Sequence, residues 1–436
     1  MRRARASSSA WLVMASVACA TGASKPGPAK SEPAPSVHRD GNRSEPIEVF
    51  SWWARIGESD ALGALTMEHQ LHYPGDSILN ATSELSGLAR KTLRARMEHG
   101  DPPDTFQANI GRDLMRWVLV NGIDDHTSKL TALDGVMSDV AEWRQHMPAV
   151  LLSELSFGGQ LYAVPANVHR LNDMYYNRAI FRTYGLDEPK TVDDLIAIGR
   201  KLAGTSVVPI ALGSRDPWTL ELLVFECLLV SREGPAFYDA YFRGAGRPDD
   251  PRVLATLRVA LDLLLYVNAD HGDLTWLEAL DMLISGRAAM TVMGDWAAVS
   301  LRARDPNESE GYGEVAFPGS EGTMVYTSDT FPLPVRARNR AGAIRLLHTL
   351  GSVEGQLAMN RAKMALPARL DAALPEGPMF LRKRELLEHG PLVLALSGLV
   401  PAGFADSVGE ALQEMAVQRD IEPVVQTLRS RYALLH

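Results

Sequence analysis

Residues 161–177 read LYAVPANVHRLNDMYYN, and residues 285–297 read SGRAAMTVMGDWA. The runs LYAVPANV, NDMYYN and AAMTVM within them are rich in apolar, β-branched and aromatic residues, which predicts short strands. Helical spacing of apolar residues predicts helices at about 218–230, 251–268 and 276–286. Strands that alternate with helices predict an α/β fold with parallel sheets, and 436 residues are enough for two lobes.

The same alternation continues on both sides of these stretches. Further strands are predicted at IEVFSWW (47–53), VVPIALG (207–213), GEVAF (313–317) and SDTFPLPV (328–335). After residue 338 the chain is predicted to be mostly helical to its end. Because this tail has no predicted strand, we expect it to cover a sheet built by earlier segments.

The first twenty residues have the layout of a secretory signal peptide. Arginines open the chain, a short apolar run follows up to Ala18, and small residues surround Cys19. The apolar run has about half of the ~20 residues that a spanning helix needs, so we expect no permanent transmembrane anchor. Ser-Val-Ala-Cys resembles a bacterial lipobox with Cys19 as the lipidation site. Ser16 replaces the usual leucine, so cleavage after Ala18 or Ala20 without lipidation stays open.

Residues 21–46 are predicted to form a tether. They contain five prolines and almost no apolar residue, so they cannot bury a core. A tether behind an acylated cysteine lets a domain work beside a membrane that it touches only through its lipid. We therefore expect an exported protein, periplasmic or at the cell surface, with a lipid anchor in a bacterial membrane.

Composition and missing motifs exclude several functions. A net charge of −9 offers no electrostatic footprint for nucleic acid. Two cysteines, Cys19 and Cys227, exclude a disulfide framework and a cysteine-rich zinc site. The phosphate-loop, dinucleotide-binding, nucleophile-elbow and zinc-protease motifs are also missing from the sequence. We therefore expect no cofactor, no metal and no enzymatic activity.

Aromatic residues and carboxylates recur together at predicted strand ends. The groups are Trp52, Trp53 and Glu58; Asp216 and Trp218; Asp295 and Trp296; and Asp329 with Phe331. A pyranose packs its C–H face on an aromatic ring, and its hydroxyls donate to carboxylates. Neighbouring residues of one strand face opposite sides, so at most one of the two adjacent tryptophans is simple core. Several such groups together favour a polar, ring-shaped ligand.

A family resemblance adds to this interpretation. EVFSWW-x₄-E, PPDTFQ, LYAVPANVHRLNDMYYN, SGRAAMTVMGDWA, SDTFPLP and KMALPAR resemble, in this order, the family 1 extracellular solute-binding proteins of sugar ABC transporters, and most closely their glucose/mannose-binding branch. The resemblance runs from Glu48 to about Arg369. It implies a two-lobed periplasmic-binding-protein fold of type II, like that of maltose-binding protein, joined by hinge crossings. It also implies a monomer that captures a mono- or small oligosaccharide between its lobes and delivers it to the transmembrane subunits of an ABC permease.

The resemblance also implies the sugar contacts. The residues that match the family's binding positions are Trp52, Trp53, Glu58, Gln107, Asp295, Trp296, Asp329 and Lys363. Asn109 replaces a lysine or histidine, which keeps an amide but loses a charge. His169, near the expected first crossing, is either a hinge or core residue or a ligand contact. Met364 replaces a glycine, and Ala405 replaces a histidine that touches the sugar, so we expect an altered sugar preference.

The expected lobes are discontinuous. The first comprises residues 47–168 and 318–361, and the second comprises 169–317 and 362–436, with crossings near 168, 318 and 361.

Two alternatives stay open. An exported glycoside hydrolase would also need tryptophan platforms and a carboxylate pair, for which Glu58 and Asp329 are the natural candidates. A degenerate lobe pair that acts as a surface scaffold or sensor subunit would explain the missing histidine and Met364.

Overall fold

The computed structural model of the chain describes residues 45–54, 57–82, 86–119, 128–304 and 311–436. The predicted signal peptide, the lipidation site at Cys19 and nearly all of the tether lie outside these residues. Within the described ranges, every helix is too short or too polar to cross a bilayer.

Short strands alternate with helices, as the sequence predicts. The strands are β1 Ile47–Ser51, β2 Ile78–Thr82, β3 Thr105–Phe106, β4 Ala108–Asn109, β5 Ser156–Phe157, β6 Gln160–Leu161, β7 Ala163–Pro165, β8 His169–Arg170, β9 Asp173–Asn177, β10 Val208–Ala211, β11 Ala288–Val292, β12 Tyr312–Ala316, β13 Met324–Thr327, β14 Asp329–Pro332 and β15 Leu392–Leu394. The helices are α1 Glu58–His72, α2 Ser86–His99, α3 Arg112–Met115, α4 Val140–His146, α5 Ala149–Glu154, α6 Arg178–Tyr184, α7 Val192–Leu202, α8 Trp218–Glu221, α9 Val230–Glu233, α10 Pro235–Ala240, α11 Pro251–Leu263, α12 Trp276–Ile284, α13 Ala297–Arg304, α14 Arg340–Gly351, α15 Val353–Lys363, α16 Pro378–His389, α17 Leu396–Leu399, α18 Ala402–Gln418 and α19 Glu422–Arg431. Wider π turns cover Leu222–Leu229 and Tyr241–Ala245, and 3₁₀ turns cover Leu133–Gly135, Leu264–Tyr266 and Tyr432–Leu435.

One lobe is built around β1, and we call it the β1 lobe. β1 is central, with β2 and β3 parallel to it on either side. α1 and α2 connect these strands in turn, as the parallel pairing requires, since parallel neighbours need a crossover connection. Val49 and Trp53 are buried in this core, and α1 packs against α15 from much later in the chain.

The other lobe is built around β9, and we call it the β9 lobe. Its sheet has the order β10-β11-β9-β12. β10 and β11 are parallel, as predicted, but β9 runs antiparallel to both β11 and β12. The sheet is therefore mixed. It is not purely parallel, contrary to the prediction, because β9 joins it directly from the segment between the lobes, without the crossover helix that a parallel strand needs.

Three chain segments lie side by side between the two sheets. β7 and β8 belong to the segment 163–170, and β14 and β13 belong to the segment 324–332 that runs antiparallel to it. Val168 also forms a bridge with Leu366 in a third segment. β14 pairs with β4 of the β1 lobe, while β13 pairs with β15. The lobe boundaries given above remain a prediction, but these segments fix where the polar residues of the site meet.

The tail after residue 338 is mostly helical, as expected, but it also supplies a strand. β15 pairs in parallel with β13, and Val393 and Leu394 are buried there. A run of three residues is too short to show the period of two that identifies a strand in sequence.

Candidate functional site

A cavity of about 470 Å³ lies between the β1 lobe and the β9 lobe. Such a volume lies within the range of small-molecule sites. A second, more open hollow of about 610 Å³ lies at Asp60, Val299 and Arg302. Among the residues that the structure describes, no aromatic ring lines that hollow, so the interlobe cavity is the better candidate for a ligand site.

The structure brings most of the predicted residues together in this cavity. Those that line it are Trp52, Glu58, Asn109, His169, Trp218, Trp296, Asp329 and Lys363. Trp53, Gln107 and Asp295 do not line it; they are buried directly behind it. Each of them contacts a residue that does line the cavity: Trp53 contacts Lys363, Gln107 contacts Asp329, and Asp295 contacts His169.

Asp329 is a cavity carboxylate held by four other side chains. Its Oδ1 accepts a hydrogen bond from Gln107 Nε2 at 2.6 Å, and its Oδ2 accepts one from Asn167 Nδ2 at 2.9 Å. The same Oδ2 lies 3.2 Å from Lys363 Nζ and 3.3 Å from His169 Nε2. Burial alone would raise the pKa of Asp329, but Lys363, His169 and Asn167 together hold it well below its usual range. Asp329 is therefore a fixed anion.

His169 connects this anion to a second charged cluster. Its Nδ1 lies 2.5 Å from Asp295 Oδ1. Burial disfavours the imidazolium, but the charge of Asp295 and the hydrogen bonds to Asp295 and Asp329 outweigh burial and raise the pKa of His169. With carboxylates on both nitrogens, His169 connects the cavity floor to the residues behind it, and its imidazolium form is favoured relative to that of a free histidine.

Lys383 neutralises the cluster behind His169. It extends from α16, and its Nζ lies 2.9 Å from Asp173, 2.9 Å from Glu314 and 3.4 Å from Asp295. Burial opposes the charge of Lys383, but these carboxylates raise its pKa above the usual range. Burial likewise opposes ionisation of Asp295, yet Lys383 and His169 keep its pKa low. Lys383 was not predicted as a site residue, because nothing in the local sequence distinguishes it from the other cations of an amphipathic helix.

The two adjacent tryptophans have different roles. β1 ends at Ser51, and Trp53 then turns into the core, fully buried, with its ring centroid 5.4 Å from that of Phe331. Lys363 Nζ lies 4.2 Å from the centroid of the Trp53 ring, a cation–π contact that holds the ammonium in place. Trp52 is half-buried and faces the cavity. This arrangement agrees with the expectation that at most one of the two tryptophans is an ordinary core residue, since Trp53 is buried and Trp52 faces the cavity.

Further aromatic rings line the β9-lobe side of the cavity. The Trp296 ring meets His169 edge to face at 5.5 Å, and its centroid lies 6.0 Å from that of Trp218. Trp276 also lines the cavity. Rings of this size offer flat apolar faces beside the polar floor formed by Asp329 and Lys363.

The three departures from the family pattern have structural counterparts. Asn109 donates its backbone N–H to Asp113, and its Nδ2 lies 3.5 Å from Ser397 Oγ. Ala405 lines the cavity, so the expected histidine position does face the site. Met364 follows α15 with φ +56°, in the left-handed region where glycine is favoured. The glycine expected there would be the less strained residue.

Two charged walls were not anticipated from the sequence. On the β1-lobe side the cavity is lined by Arg90, Lys91, Arg94 and Arg116, and on the β9-lobe side by Asp216, Glu221, Glu226, Asp406 and Glu410. Arg90 also lies over the Trp52 ring, 5.4 Å from its centroid. The spacing of Arg90 and Arg94 along α2 puts both on one helix face, but it gives no sign that this face meets a ligand cavity. Within the described ranges, no three His, Cys, Asp or Glu side chains are grouped to hold a metal.

A two-lobed α/β fold with a polar, ring-lined cavity between its lobes defines a binding protein of the periplasmic type II class. The family model of bacterial extracellular solute-binding proteins matches residues 81–357. The chain belongs to this family.

Individual relatives agree with this assignment. The chain is 33% identical to an uncharacterised ABC transporter extracellular-binding protein of Pyrococcus horikoshii, over 86% of this chain and 84% of the relative. It is 29% identical to a probable sugar-binding periplasmic protein of Mesorhizobium japonicum, over 74% of this chain and 76% of the relative. A solved chitin oligosaccharide-binding protein superposes with a TM-score of 0.75 at 20% identity, covering 89% of this chain and 99% of that one. This last likeness concerns the fold.

Proposed function

We propose that this protein is the substrate-binding component of a carbohydrate ABC importer. It captures a mono- or small oligosaccharide in the cavity between its lobes and presents it to the transmembrane subunits of a permease. The observation that carries the proposal is the floor of the cavity, where Asp329 and Lys363 lie fixed beside exposed tryptophan faces. Relatives named as sugar-binding proteins support the same ligand class.

The floor suits sugar hydroxyls. The oxygens of Asp329 accept from three side-chain donors besides Lys363, and an ionised carboxylate has about four acceptor sites, so the less occupied Oδ1 can accept from a ligand hydroxyl. Lys363 has three N–H donors and uses one on Asp329. Asn109 adds an amide that both donates and accepts. A pyranose that stacks on Trp296, Trp218 or Trp52 would present its hydroxyls to these groups.

The ionisation of Asp329 argues against the hydrolase alternative. A glycosidase needs one carboxylic acid that stays protonated near neutral pH to protonate the leaving oxygen. Asp329 has its pKa held low by Lys363 and His169, so of the predicted pair Glu58 and Asp329 it cannot be that acid. A permanently charged acceptor suits the binding of sugar hydroxyls. Together with relatives named as sugar-binding proteins, this supports a protein that binds its ligand without transforming it.

Export, anchoring and assembly complete the proposal. A signal peptide over residues 1–20 would export the chain, with Cys19 as the lipidated residue and residues 21–46 as the tether. The protein would work as a monomer in the periplasm or at the cell surface, held to the membrane by its lipid alone. Mass spectrometry of protein from its native membrane tests this part: a diacylated N-terminal cysteine is expected, and an unlipidated N-terminus would contradict it.

Calorimetry with a panel of neutral mono-, di- and trisaccharides tests the ligand class. We expect at least one sugar to bind with micromolar or better affinity, and Trp296→Ala to weaken it while leaving the fold intact. Scattering curves with and without that sugar should show a smaller radius of gyration when the lobes close. An assay with aryl-glycosides should show no turnover. If none of the tested sugars binds, the proposal is contradicted and the scaffold alternative is favoured.

A further inference from the structure

Glu221 is an unusual residue in the wall of the cavity. It ends α8, one helical turn after Trp218, and only 8% of its surface is exposed. Within the described part of the chain, no hydrogen bond or ion pair reaches its carboxyl group. A largely buried carboxyl group without a protein partner costs stability, since it has lost most of its contact with water without gaining a replacement. The folded protein alone therefore gives no reason for a carboxyl group at this position.

The carboxyl group is held in place by its neighbours. α18 passes directly behind it, and a Cβ at Gly409 would come within 2.4 Å of Glu221 Oε1 and 2.8 Å of Pro217 Cβ. Only a glycine leaves room for the carboxyl group there. The side chain is thus fixed against the helix while still lining the cavity. A fixed polar group that faces a cavity is preorganised for a ligand.

The surroundings of Glu221 favour its protonated form. The charged and titratable groups that face it or line the cavity beside it are Glu226, Tyr238, Asp406, Glu410, Arg90 and Arg94. Burial raises the pKa of Glu221 to about 8; Glu226 and Asp406 add to this effect, and Arg90 opposes it. At neutral pH the group is a carboxylic acid, with one O–H donor and one carbonyl acceptor.

We propose that Glu221 is a further ligand-binding and specificity-determining residue, which hydrogen-bonds an uncharged hydroxyl group of the sugar in the space between the acidic and the basic wall. The proposal rests on the sugar-binding function proposed above. The ligand hydroxyl group would be the hydrogen-bond partner that the described part of the protein does not give to Glu221. A hydroxyl both donates and accepts, so it matches both atoms of a protonated carboxyl group.

The two charged walls explain why the ligand group is uncharged. A ligand carboxylate at this point would face Asp406 and Glu410, whereas a ligand ammonium group would face Arg90 and Arg94. Either charge meets an opposite charge in one wall and a like charge in the other, so it is stabilised by only one of them. A hydroxyl can accept from a guanidinium and donate to a carboxylate, so it is the group that both walls tolerate. The structure thus favours neutral sugars over their amino or acidic analogues.

The experiment compares four forms of the full-length mature protein: the parent, Glu221→Gln, Glu221→Ala and the control Glu385→Gln. Glu385 is exposed on α16, away from the cavity. Affinity for the best neutral sugar of the panel is measured by calorimetry at pH 6, 7, 8 and 9, with melting temperatures alongside. The amino and carboxyl analogues of that sugar are measured with the parent at pH 7.

We expect Glu221→Ala to bind about five- to tenfold more weakly at pH 7, because a hydrogen bond to the ligand is lost. Glu221→Gln keeps a donor and an acceptor, so it should bind within about threefold of the parent at pH 7. Above pH 8 the parent should lose affinity as its carboxyl group ionises and its donor is lost. The Gln variant cannot ionise at this position, so it should lose less affinity than the parent between pH 7 and 9. Because Glu226 and His169 are present in both proteins, the difference in affinity loss is due to Glu221. Both variants should melt no lower than the parent at pH 8, unlike variants of a structural residue.

Three results would overturn the inference. One is a folded Glu221→Ala variant that binds as tightly as the parent, and another is a Gln variant as weak as the Ala variant. The third is an amino or acidic analogue that binds the parent as well as the neutral sugar. If the parent binds no sugar at all, the proposed function itself fails. This outcome differs from a failure of the Glu221 inference, in which the parent binds a sugar and the Glu221 variants bind it equally well.

Discussion

Replacing Asp329 by alanine should destabilise the protein as well as weaken ligand binding. The side chain is 7% exposed and is the shared partner of Lys363 and His169. The variant would leave the Lys363 ammonium group buried without its carboxylate, and His169 with Asp295 alone. Gln107 and Asn167 would each lose an acceptor as well. Removal of one member of a buried ion pair costs about 3–5 kcal/mol, because an uncompensated charge stays buried.

This free energy corresponds to a measurable shift in melting temperature. The unfolding entropy of globular proteins is about 2.1 cal/mol/K per residue, so the unit Arg43–His436 gives roughly 0.8 kcal/mol/K. A loss of about 3–5 kcal/mol then lowers the melting temperature by roughly 4–6 °C. The matched control is Asp262→Ala, an exposed acid on α11, which should change stability by less than about 0.5 kcal/mol.

The effect should depend on pH in a defined direction. The pKa of Asp329 is lowered on folding, so its stabilising contribution is present above the unfolded value near 3.8 and is lost as the pH falls. The pKa of His169 is raised on folding, so its contribution is present below 6.5 and is lost as the pH rises through the folded value. The difference between parent and variant should therefore be largest between about pH 4 and 6.5. Denaturant unfolding at pH 3, 5.5 and 9 measures it, and an equal difference at all three values would refute the reasoning.

Lys383→Met should lower the free energy of unfolding by about 3–5 kcal/mol, since Asp173, Asp295 and Glu314 then lose the ammonium group that they share, with Arg170 and His169 left to offset Asp173 and Asp295; unchanged denaturant midpoints would contradict it. Trp218→Ala should weaken sugar binding roughly three- to tenfold, because a half-buried ring face is lost, and calorimetry together with a near-normal melting temperature checks this. Gly213→Ala should lower the melting temperature, because its Cβ would lie 2.0 Å from the backbone oxygen of Thr275. The matched control Gly272→Ala has open space around the added atom and should melt like the parent.

Local patterns were sufficient for the fold class, whereas most of the candidate site was predicted from the family resemblance. Hydrophobic spacing located the strands β1, β9 and β11 and the helices α11 and α12, because these elements are long enough to show their period. Asp329 and Lys363 were predicted as sugar contacts from the family resemblance, and the structure places both in one cavity. Asp329 begins β14 and Lys363 ends α15, so both stand at the ends of their elements.

The sequence by itself therefore determined an α/β chain of the solute-binding class with aromatic and acidic residues at strand ends. Only the tertiary structure decided which of Trp52 and Trp53 faces the cavity, because the answer depends on where β1 ends. It also decided that Asp295 lies behind His169 and that Lys383 neutralises it from a helix far along the chain. Glu221 became notable only once its neighbours were known. These facts depend on pairing between distant segments, and hydrophobic periodicity records which face of an element is buried but not which side chains it meets there.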